Sequence, residues 1–344
     1  MSIVVGMSGG VDSAVSALLL KELGEHVIGV TLHFSQHSAC CDIGSTRRAK
    51  AQCEYLGIAW HNVDVKDRFD CQVVQPFWQA VAGGATPNPC VFCNEHVKWQ
   101  GLLDVADELH ADLVASGHYA GIVHSEDGDQ VCRGMDQAKD QSYFLYRLSA
   151  EQRRRVLFPL AGRVKSDVMA LASRWFSSDL LASRESQDLC FVEGLVSEEI
   201  RRRLPCMPGD MVLTDGTVIG THQGLTSYTV GQRSGLGISA ATRLYVVEKR
   251  QATNQLVVGQ RSACMRDAFE AVDLKWQHIP TGKLLHFSAD VVARYRSKPV
   301  KGCIDRVSGD KVSIHLADSL FAVTPGQAVV FYDSRCIVGG GTIV

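Results

Sequence analysis

The sequence lacks any apolar run of the roughly 20 residues that a membrane-spanning helix requires. The basic and apolar segments of an export signal are also missing before the first predicted strand, which begins at residue 3. Lysine and arginine (35) nearly balance aspartate and glutamate (37), so no overall basic charge attracts nucleic acid. Internal repeats and low-complexity segments are absent, which excludes repeat architectures. We therefore expect a globular, cytoplasmic protein that does not associate with membranes.

Chain length and apolar patterning predict three domains. At 344 residues the chain is too long for one compact core. Its first half alternates β-branched runs with helical periodicity, which is typical of parallel strands joined by crossover helices. After about residue 200, short β-rich runs between glycine turns predict small β domains. The predicted fold class is therefore α/β, with a doubly wound parallel sheet over residues 1–200, a central β-rich domain over 201–275 and a C-terminal β-barrel over 276–344.

Two arginine runs are candidate local patches for nucleic acid. They are Arg153-Arg154-Arg155 and Arg201-Arg202-Arg203. Ser149 is placed to cap the helix that contains the first run. A solvated helix face explains each run equally well, so both interpretations stay open.

A glycine-rich stretch, GMSGGVDS at residues 6–13, lies between the first predicted strand and the first predicted helix. Unpaired amides at a helix N-terminus bind anions, and glycine lets the backbone approach a phosphate closely. The lysine of a Walker A loop and the third glycine of a dinucleotide fingerprint are both missing. Asp12 suggests magnesium coordination near a pyrophosphate. In this position the stretch resembles the PP-loop of the N-type ATP pyrophosphatases, although a bend without a ligand is the alternative.

Twelve cysteines without an export signal indicate thiols with chemical roles more than structural disulfides. In TPNPCVFCN, residues 86–94, Asn88 is a good helix cap and Pro89 a good first helical residue. Cys90 and Cys93 then fall in the first turn, where the thiol pKa is lowered and the two side chains share one face. Cys190 lies in a short apolar stretch, QDLCFV, and by itself would be a buried core thiol.

Eight stretches in the same order resemble the tRNA-specific 2-thiouridylase family over nearly the whole chain. They are GMSGGVDS, TPNPCVFCN, ASGHY at 115–119, KDQSYFLY at 139–146, QDLCFV, HQGLTSYTVGQRSGLG at 222–237, RYR at 294–296 and TPGQAVVFY at 324–332. The resemblance implies ATP-dependent replacement of the 2-oxygen of the wobble uridine, position 34 of tRNA, by sulfur. It also implies a sulfur-donor protein as partner and a monomeric enzyme.

The resemblance assigns site residues by position. It places the ATP phosphates and adenosine near Gly6, Met7, Ser8, Gly9, Gly10, Val11, Asp12, Ser13, Leu32 and Gly117. It makes Cys190 the carrier of a persulfide and Cys93 the thiol that completes transfer and ends in a disulfide with Cys190. It places the target base or the rest of the tRNA near Asn88, Pro89, Cys90, His118, Lys139, Asp140, Gln141, Arg294, Tyr295 and Gln327. For His118 taken alone, a structural histidine is the better interpretation.

The chemistry is consistent with this set of residues. A uridine oxygen leaves poorly until AMP is attached to it, which explains an ATP loop. A persulfide is more acidic and more nucleophilic than a thiol and can attack the activated carbon. However, some members of the family have aspartate where this chain has Cys90. Cys90, Cys93 and Cys190 could therefore hold a [4Fe–4S] cluster as metal ligands, with sulfide bound to iron and no persulfide.

Two further hypotheses stay open. One is a PP-loop enzyme that adenylates a small metabolite, such as an amidotransferase or a ligase. The other is an RNA-binding or metal-storage module with a vestigial loop. Cys40-Cys41 is most simply an incidental pair.

Overall fold

The computed structural model describes residues 1–34, 43–126, 128–181, 189–192, 194–240, 242–278 and 286–344, so Cys40 and Cys41 lie outside the described residues. The strands, numbered in chain order, are β1 Ser2–Gly6, β2 His26–His33, β3 Ala59–Asp64, β4 Leu113–Ala115, β5 Ala120–Val123, β6 Gln130–Arg133, β7 Val156–Leu157, β8 Gly209–Leu213, β9 Val218–His222, β10 Tyr245–Arg250, β11 Gln255–Gly259, β12 Met265–Trp276, β13 His286–Val292, β14 Val300–Ser308, β15 Lys311–Phe321, β16 Ala328–Asp333 and β17 Cys336–Ile343.

The α-helices are α1 Val11–Glu22, α2 Ile43–Leu56, α3 Lys66–Phe69, α4 Gln75–Ala82, α5 Pro89–Phe92, α6 Trp99–Glu108, α7 Ala150–Arg155, α8 Lys165–Trp175, α9 Ser178–Leu181 and α10 Val196–Arg203. Two π-helical segments, Asp70–Val74 and Cys93–Lys98, continue α3 and α5. Short 3₁₀ turns are formed by Ser142–Leu145, Leu225–Ser227 and Arg261–Cys264. No described helix has both the length and the apolar character needed to cross a bilayer.

The predicted parallel sheet is confirmed, with strand order β3-β2-β1-β4-β7. Side chains of β1 alternate between the two faces, so that Val4 packs in one core cluster while Ile3 and Val5 pack in another. The chain passes from β1 to β2 and β3 and then returns to β4 on the other side of β1. The loops after β1 and β4 therefore flank the switch point of the sheet, where open α/β sheets bind their ligands.

A helix begins at Pro89, as predicted, and the helical run continues to Glu108, but its middle is π-helical. Pro89 occupies the first turn of α5, the π-helical segment Cys93–Lys98 follows, and α6 completes the run. Trp99, Leu102 and Ala106 are buried on one face, as their spacing predicts. Single π-helical turns inside α-helices occur frequently at functional sites, and this one begins at Cys93.

The C-terminal half is β-rich, as expected. One sheet has the order β10-β11-β8-β9. Six antiparallel strands in the order β12-β15-β14-β13-β16-β17 close into a barrel through pairing of β12 with β17. Strand β12, which ends at the predicted domain boundary of 276, pairs with β15 and β17 of the barrel, and the boundary itself stays a prediction.

The hairpin β5–β6 of the N-terminal half joins the sheet of the barrel through β17. Glycines in β17 allow close contact with the rest of the chain, since a Cβ on Gly340 would lie 2.7 Å from the ring of Tyr146. A disulfide joins Cys132 of β6 to Cys336 of β17, whereas the sequence favoured chemical roles for the cysteines. The N-terminal half and the barrel are therefore connected through strand pairing as well as through side chains.

Candidate active site

The glycine-rich stretch connects β1 to α1 at the switch point of the sheet. Gly9 has φ +72°, and a Cβ there would lie 2.2 Å from the backbone oxygen of Ser45. Gly10 is the N-cap of α1 in an extended conformation, and no side chain caps the helix. Ser8 is exposed. The loop therefore presents helix N-terminal amides to an open surface, which is the arrangement that binds phosphate.

Hydroxyl groups hold this loop in shape. The Ser8 amide donates to Ser13 Oγ at 3.2 Å, and Ser13 Oγ donates to the Gly10 carbonyl at 3.0 Å. The Gly9 carbonyl accepts from Gln52 at 3.3 Å and from Arg48 at 3.4 Å. The loop is thus fixed both by its own serines and by α2.

Asp12 has two partners that the sequence analysis missed. Its Oδ1 accepts from the Tyr119 hydroxyl at 2.9 Å and lies 2.7 Å from Lys165 Nζ. Tyr119 belongs to the ASGHY stretch, so the sequence could have identified it as a site residue, whereas Lys165 belongs to no recognised motif. Gly117 approaches the same helix terminus, since a Cβ there would lie 2.7 Å from the Ser13 nitrogen. The loop after β4 therefore lies against this helix terminus, and Lys165 at the start of α8 brings a cation to Asp12.

His118 and Leu32 lie in structural surroundings near this pocket. His118 Nδ1 is 2.7 Å from Ser116 Oγ, and its ring centroid is 5.7 Å from that of Trp99. Burial, with a smaller contribution from Lys98, lowers the pKa of His118 well below its ordinary value. Leu32 is buried in the core near the carboxyl end of β2. His118 is consequently a neutral imidazole near pH 7.

The two predicted sulfur-handling residues pack against the same core. Cys93 starts the π-helical segment, and Cys190 lies in a turn far along the chain. Both are partly buried against one hydrophobic cluster. Phe191 contacts Phe69 and Phe77 with ring centroids 5.9 and 5.2 Å apart, which holds the turn of Cys190 in place. Both thiols therefore border the same hydrophobic core.

Cys90 and Asn88 differ from expectation in detail. Asn88 takes the N-cap position of α5, but its side chain makes no capping hydrogen bond. It instead hydrogen-bonds the hydroxyl of Tyr143. Burial raises the pKa of Tyr143, and the contact with Asn88 and the charge of Arg294 partly offset that rise. Cys90 is exposed in the first turn of α5. The first turn of α5 therefore exposes Cys90, while Pro89 and the neighbouring Tyr143 are buried.

The barrel contacts this same end of the helix. Tyr143 Oη donates to the Ala328 carbonyl at 2.8 Å, and Gln327 Nε2 donates to the Thr86 carbonyl at 2.6 Å. The ring of Tyr295 lies 6.0 Å from that of Tyr143. The predicted base-binding positions at 88–90 are therefore gathered with those at 294, 295 and 327.

Side chains of the KDQ stretch point into the structure. Asp140 accepts from the Gly134 amide at 3.1 Å and from Ser142 Oγ at 2.9 Å, and burial raises its pKa. Gln141 Oε1 accepts from the Tyr119 amide at 3.0 Å. Lys139 is half-buried. These residues orient the loop that contains Tyr119, and their contact with tRNA stays a prediction.

Arg147 links the helix of Cys93 to the barrel, a role that the sequence analysis did not find. Its side chain is 5% exposed and donates to Glu95 on the π-helical segment. It also lies 2.7 Å from Asp273 of β12. The two carboxylates raise its pKa against the effect of burial. The position of Cys93 is therefore coupled to the barrel through a buried charged group.

The two arginine runs have different environments. Ser149 caps α7 as predicted, with Ser149 and Gln152 bonded reciprocally. Arg153 is buried and donates to backbone carbonyls, so the first run is largely structural. Arg202 is exposed on α10, and Arg203 lies over the ring of Trp78. The second run lies on the surface, but both Arg202 and Arg203 pair with Glu199.

A parallel sheet with a phosphate-binding loop after its first strand defines an ATP-utilising PP-loop protein, here extended by two β-rich units. Family models match residues 1–194 (tRNA methyl transferase HUP domain), 197–260 (tRNA methyl transferase PRC-barrel domain) and 266–343 (aminomethyltransferase beta-barrel domain). The chain belongs to the family of tRNA-specific 2-thiouridylases, as its curated relatives are named.

Three relatives show how far the similarity extends. The tRNA-specific 2-thiouridylase MnmA of Carboxydothermus hydrogenoformans is 37% identical over 99% of this chain and 97% of its own. Those of Geobacter metallireducens and Methylococcus capsulatus are each 40% identical over 99% of this chain and 96% and 95% of their own. A U34-tRNA thiolase from Methanococcus maripaludis, solved with its [4Fe-4S] cluster, is 20% identical over 60% of this chain and 67% of its own, with a TM-score of 0.36.

Proposed function

We propose that this protein is an ATP-dependent tRNA sulfurtransferase that replaces the 2-oxygen of the wobble uridine by sulfur. One observation supports it above the others: Cys93 and Cys190, distant in the chain, pack against one core cluster. The phosphate loop that this chemistry requires lies at the switch point of the adjoining sheet.

The phosphate loop would bind the ATP that activates the uridine oxygen. The amides of residues 9–11 and the serine hydroxyls would hold the triphosphate of ATP while the uridine oxygen attacks its α-phosphorus and pyrophosphate leaves. Lys165, 2.7 Å from Asp12, is placed to neutralise phosphate charge. Asp12 is a suitable oxygen ligand for Mg²⁺. Because its Oδ1 already faces that lysine, metal binding would exchange one cation contact for another.

Sulfur transfer then requires two thiols, Cys190 and Cys93, and one external reductant. A donor protein leaves a persulfide on Cys190, and its terminal sulfur attacks the adenylated carbon, so that AMP departs with the oxygen. The Cys93 thiolate attacks Cys190 Sγ, which breaks the S–S bond and releases the 2-thiouridine. The Cys93–Cys190 disulfide that remains is reduced by an external dithiol.

The [4Fe–4S] alternative uses the same residues. Cys90, Cys93 and Cys190 are thiolate donors of the type that binds such clusters, and they would be the protein ligands. When bound, the cluster would present sulfide on its open iron. The packing of Cys93 and Cys190 suits both proposals, whereas exposure of Cys90 favours a position beside the incoming base.

The barrel is proposed to bind tRNA outside the target base. Arg294 and Tyr295 lie beside Tyr143, next to the exposed end of α5. Phosphate contacts of this kind release counterions, so tRNA affinity should fall steeply with salt. Adenylation of a small metabolite would leave this surface without a role.

Incorporation of labelled sulfur into tRNA, pyrophosphate release and tRNA affinity together test the proposal. Cys93→Ser and Cys190→Ser should each abolish sulfur incorporation while tRNA affinity is retained. Cys206→Ser is the matched control, since this half-buried thiol lies outside the site. Full incorporation by either site variant would overturn the cysteine assignment, and absence of pyrophosphate release on tRNA addition would favour an RNA-binding module.

Cys90→Ser separates the two sulfur mechanisms. The persulfide mechanism predicts that this variant still incorporates sulfur and that anaerobically purified protein contains no iron. Loss of incorporation together with loss of bound iron and of its visible absorption would establish the cluster instead.

A further inference from the structure

Three adjacent barrel strands present histidine, cysteine and aspartate side chains on the outer face. In β13 and β14, Phe287 and Ile304 point into the barrel core, so that His286, Cys303 and Asp305 lie on the opposite face. This face is remote in sequence from the phosphate loop and from Cys93. The proposed sulfur chemistry does not use it.

The three side chains already lie at the separations of a metal site. Their possible ligand atoms are all within 4.8 Å of one another. Cys303 Sγ is 3.3 Å from His286 Nε2 and 3.4 Å from Nδ1, so it lies beside the imidazole, and a turn of the ring would direct Nε2 at a shared metal. Ligands at bond lengths of about 2.0–2.3 Å around tetrahedral zinc are roughly 3.3–3.6 Å apart. Asp305 Oδ1 is 2.5 Å from His286 Nδ1. A carboxylate on one ring nitrogen is the usual partner of a histidine that ligates metal through the other.

The pairing of β14 with β15 places a further possible metal ligand, His315, next to Cys303. Cys303 is directly opposite His315 of β15 and Ser288 of β13, and His286 lies two residues from Ser288 along β13, opposite Asp305. His315 is exposed, whereas its neighbour Ile314 is buried in the barrel. Side chains opposite each other on one face have Cβ atoms about 5 Å apart. His315 Nε2 lies 3.2 Å from Ser313 Oγ, and a turn of the ring away from that contact would bring a second imidazole to Cys303.

We propose that His286, Cys303 and His315 bind a divalent transition metal of the zinc type, with Asp305 orienting His286. Thiolate and imidazole together favour Zn²⁺ over Mg²⁺ or Ca²⁺. The ligands come from β13, β14 and β15, so the metal would connect three strands and stabilise the barrel. A water completes the tetrahedral set.

Cobalt titration of the full chain tests this site by thiolate-to-metal absorption. The host variant is Cys90→Ser/Cys93→Ser/Cys190→Ser, which silences the other candidate thiolate site. We expect the host to bind one Co²⁺ and Zn²⁺ to displace it. Adding Cys303→Ser should abolish the absorption band, whereas adding Cys71→Ser, which removes an exposed thiol elsewhere, should leave it.

Histidine variants and X-ray absorption supply readouts independent of activity. His286→Gln and His315→Gln should each weaken Co²⁺ binding at least about tenfold, since removing even an outer partner costs about 10–100-fold. Zinc bound to the host should show one sulfur and otherwise nitrogen or oxygen ligands. A band that survives Cys303→Ser, or a host that binds no Co²⁺, would overturn the proposal. Circular dichroism would verify that each variant is folded.

Discussion

Gly9→Ala, compared with Gly24→Ala, tests whether the phosphate loop needs its glycine for close packing or only for its backbone angles. Both residues have positive φ, +72° and +82°. A Cβ at Gly24 would meet nothing within 4 Å, whereas a Cβ at Gly9 would lie 2.2 Å from the Ser45 oxygen. The two substitutions therefore share the backbone strain and differ in the collision.

The magnitudes follow from these two contributions. An alanine in the left-handed region costs about 1–2 kcal/mol, and the loss of unfolded-state entropy returns about 0.4–1 kcal/mol. Gly24→Ala should thus lower the free energy of unfolding by about 1 kcal/mol. The collision at Gly9 adds about 1–3 kcal/mol of overpacking, because Ser45 offers a backbone atom that cannot rotate away. Gly9→Ala should therefore cost about 2–4 kcal/mol in total.

Denaturant unfolding and ATP binding measure the difference. If relief of the collision displaces the loop, ATP affinity should fall at least tenfold, which corresponds to about 1.4 kcal/mol, in Gly9→Ala and stay unchanged in Gly24→Ala. Equal stabilities of the two variants, with ATP affinity retained in both, would refute the view that the loop requires close contact with α2.

Three further predictions concern charged residues. Lys165→Ala should lower the rate of pyrophosphate release at least tenfold by removing the cation beside Asp12, while circular dichroism is unchanged; an unaltered rate would contradict this role. Arg147→Met should destabilise the protein by about 1.5–3 kcal/mol in denaturant unfolding, since it takes the buried guanidinium away from Glu95, which is 12% exposed, and from the half-exposed Asp273; a change below 1 kcal/mol would contradict a stabilising role for these contacts. Burial lowers the pKa of Lys249 to about 8, so the unfolded chain holds this proton to higher pH and unfolding free energy should rise between pH 8 and 10.5. Lys249→Met should lack that rise, and identical pH profiles would show that the ammonium is solvated.

Local sequence patterns predicted the fold of the N-terminal half closely. Alternating β-branched runs and glycine turns are short-range signals, and β1, β2, β3 and β4 lie in the parallel sheet that these signals predict. The domain boundary at 276 stays a prediction, and it falls at the end of β12 because no local mark in this strand assigns it to the barrel. Its partners, β15 and β17, are separated from it by the rest of the domain.

Some residues of the candidate site could be predicted from the sequence, and others only from the structure. Gly9, Asp12 and Cys93 were recognisable because loop and helix-terminus chemistry depends on neighbours in sequence. Lys165 and Arg147 were not, since each acts on a group that strand order and core packing bring near it.

By itself, the sequence determined the phosphate loop, the cysteine pattern and the kinds of secondary structure, because these depend on residues within one or two turns of each other. Only the tertiary structure decided that Arg153 is buried, that β17 accepts strands from the N-terminal half and that Cys303 lies opposite His315. Burial and cross-strand register are properties of the packed chain, since a shift of one residue along a strand would move every side chain to the other face.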